Sequence, residues 1–427
     1  MNCESFGSCG SCTLGGSYED QILYKKQLIA DKFREFFDGE FEFFASSPQN
    51  YRIKAEFGIW HDIWHSAFDL AYTMGGARSK KILINECPKV ALPIANLMPQ
   101  LLEALRRSEA LKEKLFGVEF ISCASGILAT LLYHKRLGER EQEAICELAD
   151  KLGIRVMARA RGQKLLSGEL SLTDELYVDG RVYKFRFGEN AFIQPNRSVN
   201  EKMIAWARSC VDFGKEGTSK VCAAQNSAAK NFTEKNFASQ NSAAQNYGCE
   251  QSAPQNSSCE KHSVRPESSA ARDLLELYCG HGNFTIPLAA KFNRVLASEI
   301  SKSSIANARI NCELNGVCNA QFVRLSADEL MSAFARRREF ERLKGIDIFS
   351  YDFSHVLIDP PRAGLEPSVI DFIKNFQNLI YISCNPQTLF ENLRSLCTTH
   401  EVRRFAIFDQ FAHTAHIECG VLLKRRS

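Results

Sequence analysis

The stretch Glu276-Leu277-Tyr278-Cys279-Gly280-His281-Gly282-Asn283-Phe284 decides the fold of this 427-residue chain. It ends an apolar, strand-like run, Leu274–Tyr278, with two closely spaced glycines. Because glycine has no Cβ atom, Gly280 and Gly282 allow the backbone to turn tightly and to approach a ligand closely. A strand that runs into such a loop is typical of the first strand of a ligand-binding parallel sheet.

Strand-like runs and helical stretches alternate from Asp273 to the end of the chain. The strand-like runs are Leu274–Tyr278, Arg294–Ala297, His355–Ile358 and Leu379–Ser383, and two of the helical stretches are Ser304–Leu314 and Pro367–Asn375. This alternation predicts an α/β domain with a doubly wound, Rossmann-like parallel sheet. Ligands of such sheets bind at the carboxyl ends of the strands, so we expect the functional side chains directly after them.

The rest of the chain divides into segments of different composition. Residues 1–20 are a cysteine-rich loop, and 21–190 mix strands and helices in the manner of an α+β domain. Residues 191–213 form a connecting segment that ends in a helix. The segment 214–270 consists of polar near-repeats that bury too little apolar surface to offset their ordering entropy, which predicts a disordered insertion. The α/β domain covers 271–427.

Composition and charge narrow the class of protein only slightly. The net charge is +3, and basic residues cluster at Arg52 with Lys54, at 155–164 and at 336–338. Such clusters neutralise phosphates in some proteins and are plain solvated surface in others. No apolar run is long enough to span a membrane and the N-terminus does not have the pattern of a signal peptide, so we expect a cytoplasmic protein. Its sixteen cysteines are then expected to be reduced.

The glycine loop and an acidic residue together predict a cofactor site. Glu299 stands at the end of the second predicted strand, nineteen residues after Gly280, where a carboxylate can accept hydrogen bonds from both ribose hydroxyls of an adenosine. The loop lacks the third glycine of a dinucleotide-binding motif, and its Asn283-Phe284 suits a methionine tail better than phosphates. The pattern favours S-adenosylmethionine, with an ordinary turn as the alternative.

Polar residues follow the next two predicted strands as well. The third strand runs into Asp359-Pro360-Pro361-Arg362, and the fourth runs into Cys384-Asn385-Pro386. A further motif, His416-Ile417-Glu418-Cys419-Gly420, stands near the end of the chain. A lone cysteine is more often an inert buried thiol, and a lone glutamate is more often surface. Found together with the cofactor loop, Cys384 and Glu418 indicate a reaction site.

These motifs together resemble the RNA (uracil-5-)-methyltransferases, and most closely the branch that makes ribothymidine in the T loop of tRNA. The resemblance covers nearly the whole chain outside 214–270. It rests on the segments 275–284, 359–365, 382–386, 409–411, 416–423, 52–61 and 131–137.

The resemblance implies a covalent mechanism. Carbon 5 of uracil is a poor nucleophile until a thiolate adds to carbon 6, and a base must later remove the hydrogen from carbon 5. In this family pattern Cys384 is the nucleophile and Glu418 is the base. A thiolate must be populated near neutral pH, so we expect hydrogen-bond donors or a positive group to lower the pKa of Cys384.

The resemblance also assigns binding residues and partners. The residues implied for the cofactor are Gln194, Tyr278, Asn283, Glu299 and Asp359. Weaker candidates for RNA contact are Phe116, His134 and Arg362, with 21–190 as the RNA-binding domain. The implied partner is the T arm of tRNA, together with other RNAs that contain a T-loop-like element. Neither a membrane nor an obligate protein partner is expected.

Four cysteines add a possible metal centre to this pattern. Cys3, Cys9 and Cys12 form a C-x5-C-x2-C motif, and Cys87 precedes a proline. The motif resembles the cluster loop of the 23S ribosomal RNA uracil-5 methyltransferases, whereas the usual tRNA enzyme lacks it. The resemblance implies a structural [4Fe–4S] cluster, with zinc or four unconnected thiols as the alternatives.

Three other functions are alternatives to tRNA methylation. The same chemistry on 23S ribosomal RNA is favoured by the cysteine motif, but only about fifty residues precede Arg52–His61, too few for the barrel domain usual there. An RNA-folding protein with dispensable catalysis is a second alternative, although both Cys384 and Glu418 are retained. A DNA cytosine methyltransferase fits less well because its nucleophile follows a proline.

Overall fold

The computed structural model describes residues 3–61, 70–76, 80–188, 191–213 and 271–426. The predicted insertion at 214–270 lies outside the described residues. The described part contains ten α-helices: α1 Tyr18–Phe33, α2 Leu92–Arg107, α3 Glu109–Lys112, α4 Glu139–Leu152, α5 Arg197–Asp212, α6 Thr285–Leu288, α7 Lys302–Asn315, α8 Ala327–Phe334, α9 Pro367–Ile373 and α10 Pro386–Leu396.

The strands of the described part belong to two large sheets and one hairpin. They are β1 Phe41–Phe44, β2 Lys54–His61, β3 Leu70–Gly75, β4 Lys81–Ile84, β5 Leu115–Cys123, β6 Gly126–Tyr133, β7 Arg155–Ala160, β8 Gln163–Leu166, β9 Leu172–Val178, β10 Arg181–Phe187, β11 Ala271–Leu277, β12 Phe292–Ser298, β13 Ala320–Val323, β14 Phe353–Ile358, β15 Asn378–Ser383, β16 His400–Phe408 and β17 Glu418–Arg425.

The larger sheet has eight strands in the order β1-β16-β17-β15-β14-β11-β12-β13. The strands from β15 to β13 in this order pair in parallel, and β17 runs antiparallel between β15 and β16. Helices cover both faces: α5, α6 and α7 pack on one face and α1, α8, α9 and α10 on the other. The predicted α/β class and Rossmann-like sheet are confirmed.

The four predicted strands are present as β11, β12, β14 and β15, each beginning one to three residues earlier than the sequence pattern suggested. Both faces of a parallel sheet are buried, so its strands contain polar residues mainly near their ends. These polar residues make the first residue of a strand hard to recognise in the sequence. Asp273, Arg294 and His355 are such residues: Asp273 pairs with Arg294, and His355 is buried.

The second sheet has seven strands in the order β4-β3-β2-β5-β6-β7-β8. Its pairs are antiparallel except β6 with β7, which are joined through α4. The buried faces of α2 and α4 pack on it through Leu97, Leu101, Ile145 and Leu148. An α+β unit is therefore present, as expected.

The predicted domain boundary at residue 21 needs a correction. β1 extends the eight-stranded sheet by pairing in parallel with β16, and α1 buries Ile29 and Phe33 against the same sheet. The N-terminal helix and strand therefore belong structurally to the α/β sheet rather than to the seven-stranded sheet. The periodicity of the sequence indicates that a helix has an apolar face, but it does not show against which core that face packs. Within the part of the chain described, no helix is both long and apolar enough to span a membrane.

Candidate active site

The glycine loop after β11 adopts the backbone conformation that its sequence predicts. Gly280 and Gly282 have φ of +55° and +91°, a region open to glycine at low cost. A Cβ atom on Gly282 would lie 3.0 Å from Ile286 Cδ1. Tyr278, just after the strand, also has a positive φ, +62°, which costs free energy for a non-glycine residue. Such strain is typical of functional sites.

Glu299 connects the ends of the first two strands. Its carboxylate accepts hydrogen bonds from the backbone N–H of Gly280 at 3.1 Å and of Ser301 at 2.8 Å. The parallel pairing of Leu277 with Ser298 sets this position, because Glu299 directly follows β12. The predicted cofactor residue therefore lies against the glycine loop.

Two other predicted cofactor residues come from distant parts of the chain. Asn283 exchanges two side-chain hydrogen bonds of 2.9 Å with Asn200 of α5. Gln194 lies in the segment before α5 and borders a small cavity together with Asn283 and His281. The connecting segment 191–213 is thereby packed against the glycine loop.

Cys384 and Glu418 lie in one cleft of about 850 Å³ between the two sheets. Cys384 follows β15, and Glu418 begins β17, the antiparallel neighbour of β15. Arg362 and Gln194 line the same cleft. Residues far apart in the sequence thus share one cavity.

The carboxylates beside this cleft hold their protons more tightly than usual. Burial raises the pKa of Glu418 to about 8, with a further contribution from the charge of Asp359. Burial likewise raises the pKa of Asp359 to about 7. Carboxyl groups that titrate near neutral pH are suited to general acid–base chemistry.

Cys384 differs from the expectation of a lowered pKa. Burial raises the pKa of its thiol, and the negative charges of Glu418 and Asp359 raise it further. Arg362 acts in the expected direction, but its positive charge is outweighed. The sequence could not show which positive group lies near the thiol, how deeply the thiol is buried or how close the carboxylates lie.

The opposite wall of the cleft contains charged residues, most of them basic, whose role the sequence left open. Arg52, Lys54 and Glu56 alternate with buried residues along β2 and its approach, and all three line the cleft. Arg159 of β7 lines it as well and forms an ion pair with Glu119. The sequence signal that could have identified these residues is the alternation of charged and apolar side chains along a strand, which places the charged ones on one face.

Aromatic residues to which the sequence analysis gave no role also line the cleft. Phe411 and His416 pack edge to face, with ring centroids 4.9 Å apart, and the guanidinium of Arg52 lies 5.3 Å from the Phe411 centroid. Phe192 also lines the cleft with 73% of its surface exposed. An exposed phenylalanine in the cleft that contains Cys384 is suited to stacking on a base.

Phe116 and His134 lie in a different groove, formed by the seven-stranded sheet. Their rings stack with centroids 3.9 Å apart and planes inclined by 14°. Trp60, Lys81, Lys112 and Lys114 line the same groove, whose volume is about 750 Å³, and the Lys81 ammonium lies 5.3 Å from the Trp60 ring. Of the three predicted RNA contacts, only Arg362 shares the cleft with Cys384.

The four cysteines of the predicted metal centre line one small cavity. Cys3, Cys9, Cys12 and Cys87 surround it together with Phe6, Met74 and Ile84, and all four are free thiols. Burial raises the pKa of Cys12 and of Cys87. Among the described residues, no three His, Cys, Asp or Glu side chains are positioned to hold a single metal ion.

Comparisons with known proteins identify one solved structure of the same fold and several relatives. One solved structure, that of the tRNA (uracil-54, C5)-methyltransferase of Pyrococcus abyssi in complex with S-adenosyl-L-homocysteine, shares the fold with a TM-score of 0.61. The two sequences are 16% identical, and the match covers 95% of the present protein and 83% of the Pyrococcus protein.

Curated relatives are much more similar in sequence. The tRNA/tmRNA (uracil-C(5))-methyltransferases of Campylobacter concisus and Campylobacter curvus are 54% and 53% identical, and the matches cover 100% of both proteins in each pair. The enzyme of that name from Sulfurovum sp. is 41% identical, again over 100% of both proteins. The family model described as tRNA (Uracil-5-)-methyltransferase matches residues 17–226 and 253–426. The chain belongs to the tRNA (uracil-5-)-methyltransferase family.

Proposed function

We propose that this protein methylates carbon 5 of uridine 54 in the T loop of tRNA, with S-adenosylmethionine as methyl donor. The observation that carries the proposal is the single cleft lined by Cys384, Glu418, Gln194 and Arg362. Family membership and the names of the relatives support tRNA as the substrate. Those names also include tmRNA, which agrees with a substrate class of RNAs that contain a T-loop-like element.

Cys384 starts the reaction in this proposal. Its thiolate adds to carbon 6 of uracil, and the electron pair of the 5,6 double bond moves towards the carbonyl at carbon 4. Carbon 5 of this enolate is nucleophilic. Arg362, whose positive charge lowers the pKa of Cys384 against the larger effect of burial, favours the thiolate form.

Glu418 ends the reaction. Its carboxylate takes the proton from carbon 5 after methylation, the electron pair restores the 5,6 double bond, and the bond to Cys384 breaks. The raised pKa of Glu418, about 8, suits a group that must hold this proton in a buried cleft. Without it the RNA stays covalently attached.

S-adenosylmethionine would be held by Glu299, Asn283, Gln194, Tyr278 and Asp359, and it supplies an electrophilic methyl group. Glu299 suits the ribose hydroxyls because its carboxylate lies at the end of β12 beside the open backbone of Gly280. The Cβ position of Gly280 has no protein atom within 4 Å, which leaves room for a ligand at this loop, whereas a Cβ atom on Gly282 would crowd Ile286.

The groove of Phe116 and His134 is proposed to bind the T arm outside the target nucleotide. Its stacked rings, Trp60 and three lysines combine the aromatic surface and positive charge that RNA-binding proteins use. Arg52 and Lys54 would hold the backbone of the target nucleotide itself. A cytoplasmic location and the absence of an obligate protein partner stay predictions.

The four cysteines are proposed to hold a [4Fe–4S] cluster. Their convergence on one partly apolar cavity supports this. Zinc would draw four sulfurs to about 2.3 Å from one point, whereas each thiolate of a cluster binds a different iron. The cluster would tie the N-terminal segment to the seven-stranded sheet, where Gly10 N–H already donates to Gly75 O at 2.8 Å.

Iron content and colour after anaerobic purification test the cluster. We expect bound iron and a brown chromophore in the wild type, and neither in Cys9→Ser or Cys87→Ser. Cys146→Ser, which replaces a free thiol far from this motif in the sequence, serves as the matched control and should keep both. A colourless, iron-free wild type would show that the proposal is wrong.

Methyl transfer from labelled cofactor to separate pools of unmodified tRNA and ribosomal RNA tests the main proposal. We expect label in tRNA, none with Cys384→Ala, and an SDS-stable protein–RNA adduct with Glu418→Gln. Label in ribosomal RNA alone would show that tRNA is not the substrate. Undiminished methylation by Cys384→Ala would overturn the mechanism.

A further inference from the structure

Gln410 is a fully buried residue that neither the family motifs nor the mechanism above gives a role. It lies two residues beyond β16, at the start of the loop that leads to Glu418. Phe408, the last residue of β16, pairs with Glu418, the first of β17. This register folds the loop back, so that Gln410 and Glu418 lie next to each other inside the protein.

The hydrogen bonds of Gln410 place it between the proposed base and the proposed cofactor site. Its Nε2 donates to Gln194 Oε1 at 3.2 Å and lies 3.1 Å from the sulfur of Met203. Its amide also faces the Glu418 carboxyl closely enough to lower the pKa of that group, against the larger effect of burial. Its backbone carbonyl accepts from Asn196 Nδ2 at 3.3 Å, which fixes the residue's position.

One atom of this amide has no partner within the protein. Gln410 Oε1 is buried and accepts no hydrogen bond from the described residues. An unsatisfied buried acceptor destabilises the folded protein, so its retention calls for an explanation. A protonated Glu418 carboxyl would be a donor for it, since a carboxylic acid has an O–H that the carboxylate lacks.

An amide suits a group that changes its protonation state during the reaction. Its N–H can donate to the carboxylate before proton removal, and its carbonyl can accept from the carboxylic acid afterwards. The ionisable groups around Glu418 serve less well: Asp359 repels the carboxylate, and Arg362 is engaged with His416 Nδ1 at 3.3 Å. Cys384 is itself a reactant.

We propose that Gln410 is a positioning residue that holds the Glu418 carboxyl in both protonation states while it removes the proton from carbon 5. This inference rests on the proposed function and deepens it. In the step concerned, the C5–H bond breaks and the proton goes to Glu418. The electron pair forms the 5,6 double bond, and the bond between carbon 6 and the Cys384 sulfur breaks. Gln410 gains and loses no atoms.

Single-turnover kinetics with tRNA that contains tritium at carbon 5 of uridine separate this step from the earlier ones. For Gln410→Met, which removes the amide at similar length, we expect adduct formation within about twofold of wild type. Tritium release should slow by about tenfold or more, and the adduct should accumulate. The pH at which release is half-maximal should also shift, which a loss of packing alone would not cause.

Two further variants keep the test decisive. Met203→Leu changes the packing around Gln410 but keeps the amide that faces Glu418, and should release tritium at the wild-type rate. If thermal unfolding shows that Gln410→Met does not fold, Gln410→Asn, whose shorter amide fails to reach Glu418, should give the same slow release.

Release by a folded Gln410 variant at the wild-type rate, while Glu418→Gln traps the adduct, would overturn the role of Gln410 and leave the proposed function intact. Absence of an adduct in Glu418→Gln itself would instead overturn the proposed function, and this inference with it.

Discussion

Lys25 Nζ lies 2.7 Å from Asp409 Oδ1, and neither side chain is exposed to solvent. Lys25 also donates to the carbonyl of Phe411 at 3.2 Å, and the Tyr18 hydroxyl donates to Asp409 Oδ2 at 2.8 Å. Helix α1 is thereby joined to the loop that holds Gln410 and leads to Glu418. The N-terminal segment extends this contact, because Thr13 and Leu14 N–H both donate to His413 O.

Breaking the Lys25–Asp409 pair should destabilise the protein strongly. Lys25→Met leaves a buried carboxylate without its cation, which typically costs about 3–5 kcal/mol in the free energy of unfolding. The double variant Lys25→Met/Asp409→Leu should lose much less, because no uncompensated charge is left. Denaturant unfolding measures both. A single variant within about 1 kcal/mol of wild type would show that the pair does not hold the loop.

Gly282→Ala should impair cofactor binding. The new methyl group would lie 3.0 Å from Ile286 Cδ1 in a backbone of φ +91°, so the loop must shift. We expect at least a tenfold rise in the Kd for S-adenosylmethionine, measured by calorimetry.

Gly153→Ala is the matched control for this change. Gly153 ends α4 with φ +63° and open space around its Cβ position, so alanine there is strained without a clash. It should lower stability by about 1 kcal/mol and leave the Kd unchanged. Equal losses of affinity in both variants would contradict the role of the loop.

Glu418 should make the protein less stable as the pH rises. Its pKa is about 8 in the folded protein and about 4.5 ordinarily, so the folded state binds the extra proton between these values. Stability is then fully present below about pH 4.5 and is lost as the pH rises through 8. Glu418→Gln removes this dependence, and its melting temperature should exceed that of wild type by more at pH 9 than at pH 6. A constant difference between the two proteins would contradict the raised pKa.

The groove of Phe116 and His134 should contribute to RNA affinity and not to chemistry. Phe116→Ala should weaken tRNA binding by about 1–3 kcal/mol, the usual value of one stacked base, with single-turnover methyl transfer at saturating tRNA unchanged. Lys81→Ala should reduce the slope of the logarithm of the binding constant against the logarithm of the salt concentration by about the amount that one phosphate contact contributes. Filter binding at several salt concentrations measures both.

Tyr177→Ala is the control for this groove. Tyr177 is 62% exposed on the β9–β10 hairpin and lines neither the groove nor the catalytic cleft. Its removal should leave tRNA affinity unchanged. If Phe116→Ala bound as tightly as Tyr177→Ala, the groove would not be an RNA-binding surface.

Local patterns were sufficient for much of the fold and for the family. Alternating strands and helices predicted the parallel sheet, and the glycine loop with Glu299 predicted where the strand ends meet. These inferences succeeded because the residues concerned are close in sequence or tied to strand ends, whose geometry is set by the backbone. The motif of Cys384 and that of Glu418 were likewise readable as separate signals.

Only the tertiary structure decided how the distant parts combine. It placed α1 and β1 on the α/β sheet, put Arg52 and Lys54 opposite Cys384, and moved Phe116 and His134 to another groove. It also showed a thiol whose pKa is raised. Apolar periodicity says that a face is buried but not against which partner, and a pKa depends on burial and neighbouring charges, which exist only once the protein has folded.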